Sequence, residues 1–274
     1  MGVALDAFEL DARLSDGILA ADRIALRVLG GDVAGEMALQ LSRANEVLAR
    51  LESTDADLSA EFRTQTDAQA RFLRGYFYHE LLWLYGGVPI YRSVPTIEEA
   101  REASRNPREE VFALVLEDLR AAADGLPNSW PASEYGRATK GAALAYIARA
   151  ALYEASHQKY REGNASRANE LFRIAADAAQ DVMDLGVYDL YPSYRDLFTY
   201  AGEGSSEVIF DYQHVQGVNG WSAFGWFAPH SMGGVTDIHP TRALVDEYRM
   251  VDGLVLPHRV TIRKDGREYA DVRF

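Results

Sequence analysis

The chain has 274 residues, 48% hydrophobic and 25% charged, enough to bury one core or at most two. Its formal charge of −13 argues against a nucleic-acid partner, which needs a basic stripe. The absence of cysteine removes disulfides, thiolate nucleophiles and cysteine-type zinc sites, and no apolar run reaches the roughly 18 residues of a membrane-spanning helix.

In chain order, MGVALDAFELDARLSDG carries acidic residues and no apolar h-region, unlike a signal peptide. Helical pieces are expected around Ile18–Leu29, ended by Gly30-Gly31. From Gly35 to Leu51 the spacing of Met37, Leu41, Ala44, Leu48 and Leu51 predicts a helix. Asn45 within it costs propensity, so it is either buried and bonded to a neighbouring loop or turned to solvent.

The next helix is expected to open on a Thr66–Gln69 capping box. Leu73, Phe77, Leu81 and Leu84 form its stripe, widened by Phe72, Tyr76 and a core Trp83, with Arg71, Arg74 and Tyr78 on a wetter face. Gly86-Gly87 stops the helix, Pro89 keeps it from resuming, and VPIYRSVP runs extended. Ile97–Arg105 reads as a charged connector. Asn106-Pro107 then caps a helix with Glu109 in its first turn, Val111, Val115, Leu119 and Ala122 inward, and an end at Gly125 and Pro127.

Asn128–Arg137 is a loop carrying Trp130-Pro131. Residues 138–156 form an alanine-rich helix whose Gly141, Ala142, Ala145 and Ala148 allow close approach, while Leu144, Ile147, Ala151 and Tyr153 fill the other contacts. Arg167–Leu185, with Leu171, Ala175, Ala178 and Val182 in register and Gly186 closing it, is the partner helix. The offset between the two approaches one helix-turn-helix repeat of about 34 residues.

Ser205 begins a strand-like run with Val208, Ile209, Phe210 and Tyr212, followed by the glycine-rich, aromatic stretch GVNGWSAFGWFAPHSMGG. A last short helix is expected from His239-Pro240-Thr241, with Leu244, Val245 and Tyr248 apolar, before a turn at Met250–Gly253. The fold class is therefore mainly α: a helix-pair array over residues 1–200, and a loop-rich, partly extended part of the same domain over 201–274.

The candidate binding stretch is Gly217–His230, where Trp221, Phe224, Trp226 and Phe227 lie among glycines. Loops are usually polar, so four aromatic residues in one need a reason. Flat rings can pack against the C–H faces of sugars, or they can tuck under the loop and plug the core. Trp130 is a second exposed-aromatic candidate, with burial as its alternative.

Catalysis and cofactors find no such support. The histidines show no metal-ligand spacing, and Asp237 with His239 is too small a set for a metal. There is no G-x-S-x-G elbow, no phosphate-binding loop and no carboxylate pair singled out for glycoside hydrolysis. His79 and Glu80 read as part of a helix–helix contact rather than as an acid and a base.

The run RFLRGYFYHELLWLYGGVPI resembles the signature helix and Gly-Gly-Val-Pro turn of the SusD/RagB family. LSRANEVLARL, NPREEVFALVLEDLRAAADGLP, Gly186-Val-Tyr-Asp-Leu with Asp196-Leu-Phe, SSEVIFDY and HPTRALVDEYRMVDG resemble further family blocks in the same order. That resemblance implies tetratricopeptide-like helix pairs and a non-catalytic, glycan- or nutrient-binding lipoprotein at the Bacteroidetes outer-membrane surface. It further implies an oligosaccharide ligand passed to a TonB-dependent, SusC-like transporter. Family members normally start with a lipoprotein signal and acylated cysteine and run longer at the C-terminus, so this chain is expected to cover the N-terminal half or somewhat more. A helical scaffold for a protein partner is the alternative, and a glycan hydrolase a third reading.

Overall fold

The computed structural model describes residues 32–54, 57–211, 243–251, 254–264 and 267–273. The chain divides into two units, Met1–Tyr212 and Gln213–Phe274. The first holds seven α-helices among the described residues: α1 (Asp32–Ser53), α2 (Ala60–Tyr85), α3 (Ile97–Glu102), α4 (Arg108–Gly125), α5 (Lys140–Tyr160), α6 (Ala165–Asp184) and α7 (Tyr194–Leu197). The helical piece expected at Ile18–Leu29 lies outside the described residues.

Side-chain oxygens start these helices. Ser59 accepts from the Phe62 amide (3.1 Å), Thr139 from Ala142 (3.1 Å) and Asn164 from Arg167 (3.1 Å), each satisfying an orphan donor. With Ser59 as its cap, α2 begins at Ala60 rather than at the expected Thr66. Thr66 and Gln69 lie inside the helix, and the Gln69 side chain bonds back to the Gln65 carbonyl (3.1 Å). The polar run Ala60–Gln65 carries no apolar stripe, so periodicity does not show this first part of the helix. Ile97–Glu102, expected as a connector, is the short helix α3, started by a capping box between Thr96 and Glu99. α4 starts after Pro107 without a side-chain cap, and the Asn106 side chain bonds the Ile90 amide instead.

The core lies between α2, α4, α5 and α6. Val111, Val115, Leu119 and Ala122 of α4 and Leu171, Ala175, Ala178 and Val182 of α6 are buried as expected. α5 and α6 pack closely because α5 is rich in alanine, and Ala143, Ala150, Ala151 and Ala155 are all inaccessible. A Cβ on Gly141 would collide with the Tyr188 ring, whose hydroxyl also bonds Thr139 (3.0 Å).

The faces of α2 differ from the expected ones. Trp83 is 47% exposed and Leu73 and Leu84 are nearly as open, whereas Arg74 (3%) and Tyr78 (0%) are buried. A buried arginine is tolerated only with a partner, and that partner comes from α4. Residues 205–211 form turns and bends rather than a strand, with Ile209 against the core and Phe210 edge-on to Phe72 at 5.2 Å. Tyr212 lies outside the described residues.

In the second unit β1 (Ala243–Val251), β2 (Leu254–Lys264) and β3 (Arg267–Arg273) form an antiparallel sheet in the order β1-β2-β3. β1 replaces the expected helix, whose opening His239–Thr241 lies outside the described residues, and Met250 and Val251 pair in the ladder rather than turn. Val251 opposes Leu254, and Lys264 opposes Arg267. The intervening sequences are Asp252-Gly253 and Asp265-Gly266, dipeptides suited to tight hairpins. Pairing with a strand rich in β-branched residues thus overrides the helical spacing of Leu244, Val245 and Tyr248.

Candidate functional site

Two polar clusters lie on α2, about 100° per residue placing them on roughly opposite sides of the helix. The first fixes the segment that follows it. The Arg74 guanidinium donates to both Asp118 oxygens (2.7 and 2.8 Å) and to Asn45 Oδ1 (2.8 Å). Asn45 donates in turn to the Tyr91 and Ser93 carbonyls (3.0 and 3.2 Å). The Tyr78 hydroxyl accepts from the Tyr91 amide (2.7 Å), and Asn106 Oδ1 accepts from the Ile90 amide (3.0 Å). Gly86 takes a positive φ of 75°, and a Cβ on Gly87 would collide with the Asn106 carbonyl. Of the two readings of Asn45, the buried and loop-bound one is what the structure shows.

The second cluster lies beside a groove of about 340 Å³ between α2 and α5. The Tyr146 hydroxyl donates to Glu80 Oε1 at 2.6 Å and meets His79 Nδ1 at 3.2 Å, so His79 and Glu80 do take part in a helix–helix contact. Burial holds the His79 pKa down at about 4 and pushes the Tyr146 phenol up, the latter reinforced by Glu80. His79 is 4% exposed, and its Nε2 is buried without a hydrogen-bond partner. Trp83 and Tyr153 meet edge to face at 6.2 Å, and the Arg149 guanidinium lies 5.8 Å from the centre of the Tyr146 ring. Sequence periodicity does not point to Tyr146 or Arg149; the available signal is a large polar ring within an alanine-rich helix.

Of the residues expected to bind ligand, Trp130 is partly buried against the core. Its indole N–H donates to the Ala138 carbonyl (2.7 Å), and the Arg137 guanidinium lies 5.3 Å from its ring centre. Trp221, Phe224, Trp226 and Phe227 lie outside the described residues. Among the described residues no group of three or more His, Cys, Asp or Glu side chains could hold a metal ion.

Residues 38–152, from α1 into α5, match the SusD-like family model described as starch-binding associating with outer membrane. A SusD-like protein of Bacteroides ovatus is 28% identical over 176 residues, 64% of this chain and 31% of that relative. A SusD-like carbohydrate-binding protein of Bacteroides fragilis is 27% identical with a TM-score of 0.56, covering 67% of this chain and 33% of that one. The helical region is similar to SusD-like proteins in sequence and in fold. A further solved structure, described as with xylogluco-oligosaccharide, is 25% identical with a TM-score of 0.54, over 67% of this chain and 36% of that one. The chain thus spans about a third of the length of the relatives it matches. SusD-like proteins are binding proteins rather than enzymes, and the family description associates them with the outer membrane. The match includes Asn45, Arg74 and Asp118 of the first cluster and His79, Trp83 and Arg149 of the second.

Proposed function

We propose that this chain belongs to a glycan-binding protein at the bacterial outer-membrane surface, which binds oligosaccharide or another nutrient and delivers it to a TonB-dependent transporter. The observation that carries the reading is the SusD-like match across α1–α5, together with related structures described as carbohydrate-binding or solved with an oligosaccharide. Trp221, Phe224, Trp226 and Phe227, with Trp130, are the proposed ligand-binding residues, and a lipid anchor belongs to the same reading. Aromatic rings supply an apolar face for a sugar, and their polar tips orient it.

The test is calorimetry against a panel of oligosaccharides. Saturable binding without hydrolysis is expected, weakened about tenfold or more in Trp221→Ala or Trp226→Ala, as loss of an aromatic anchor does. Unchanged binding in both variants would remove the site assignment, and absence of binding across the panel would remove the glycan reading.

A second reading, a helical scaffold for a protein partner, is favoured by the exposed apolar residues Leu190, Tyr194, Phe198 and Tyr200 after α6. Co-purification of a protein partner with the full protein, lost on Tyr194→Ala with Phe198→Ala, in the absence of any oligosaccharide binding, is its expected signature.

A further inference from the structure

We propose that the groove between α2 and α5 is a separate saccharide subsite, in which a hexopyranose ring packs on Trp83 and one of its hydroxyls donates a hydrogen bond to Nε2 of His79. This rests on the glycan-binding reading and places a contact on residues of the helical region.

Proton bookkeeping at Tyr146 sets the chemistry. Its single hydroxyl proton goes to Glu80 at 2.6 Å, the shorter and charge-assisted contact. The Tyr146 oxygen then accepts from His79, so the imidazole proton sits on Nδ1. Nε2 is left as a bare acceptor, buried and unpartnered, on a residue that lines the groove. An unmatched buried acceptor is costly, so a ligand that brings a donor is favoured there.

The rest of the groove narrows the donor's identity. Trp83 offers a half-exposed indole braced by Tyr153, which suits a flat apolar face. Arg149 is exposed at the rim and has no carboxylate partner among the described residues, leaving donors for ring or hydroxyl oxygens. A volume of about 340 Å³ lies at the small end of the roughly 300–1,000 Å³ of ligand sites, which fits a short stretch of sugar chain. Hydroxyl donors beside an apolar C–H face are the combination that a pyranose presents.

The test titrates cello-, laminari-, malto- and xyloglucan-derived oligosaccharides into the full chain, its Trp83→Ala and Arg149→Ala variants, and a Trp221→Ala/Trp226→Ala double variant. Both groove positions are exposed, so the variants are expected to keep the wild-type circular dichroism and melting temperature. The expected result is a roughly tenfold or greater loss of affinity in Trp83→Ala and a smaller loss in Arg149→Ala. A ligand-dependent shift of the His79 Nε2 resonance in nitrogen-15 spectra is expected as well, and it should persist in the double variant. Full affinity in Trp83→Ala with no shift at Nε2 would overturn the subsite while leaving glycan binding intact. No binding by any sugar would overturn both.

Discussion

The two sides of α2 hold polar groups of similar burial and opposite completeness. Around Arg74 the partners close on one another: Asp118, Asn45 and the 88–93 backbone take up the guanidinium and amide donors. Around His79 the chain of bonds stops one atom short, at a buried Nε2 on a residue that lines an open groove. A closed buried network holds structure, whereas one that ends on an unmatched acceptor calls for a further partner. Depth of burial alone does not separate the two.

The largest effect that would break this comparison is on the closed side. Asp118→Ala leaves Arg74 charged and buried, and is expected to lower stability by about 3–5 kcal/mol in urea denaturation. A loss below about 1 kcal/mol would show that water reaches the pair and that the network is not closed.

On the open side the expected effect is a pH dependence. His79 stays neutral in the fold down to about 4, against an ordinary value of 6.5, so the unfolded chain takes up its proton first. Stability from this group is present above pH 6.5 and is lost as the pH falls towards 4, by about 3 kcal/mol in total. Denaturation midpoints measured from about pH 7 to about pH 4 should show this decline, and His79→Phe should flatten it. An equal decline in that variant would move the cause elsewhere.

The smallest effect sharpens the contrast. Arg92 and Glu117 form a two-pronged pair at 2.7 Å, but both side chains are about half exposed. Arg92→Gln is expected to change stability by less than about 1 kcal/mol in the same denaturation series, despite geometry as good as that of Arg74 with Asp118.

Much of the helical order is legible in the sequence because apolar spacing reports burial directly. The stripes of α4 and α6 are buried at the expected positions, and Asn45 stands out because mid-helix asparagine needs a reason. The faces of α2 are not legible. Arg74 is buried because Asp118 waits 44 residues later, and no local pattern carries that distance. Its place beside the apolar stripe puts Trp83 in the core, yet it stands half exposed at the groove. Strand β1 hides behind a helical spacing, because what makes it a strand is its partner β2. The groove is half legible: His79 and Glu80 read as a contact, while Tyr146, which bonds them, and Arg149, which lines the groove with them, come from another helix.

The way residues 88–93 are held has a consequence for how such a protein can diversify. Asn45, Tyr78 and Asn106 grip main-chain atoms of that segment, at Ile90, Tyr91 and Ser93, rather than its side chains. The grip is therefore indifferent to most substitutions there, proline at the amide-donating positions 90 and 91 excepted. It works as a mounting bracket: the exposed side chain of Ser93 can be exchanged without loosening what holds the segment in place.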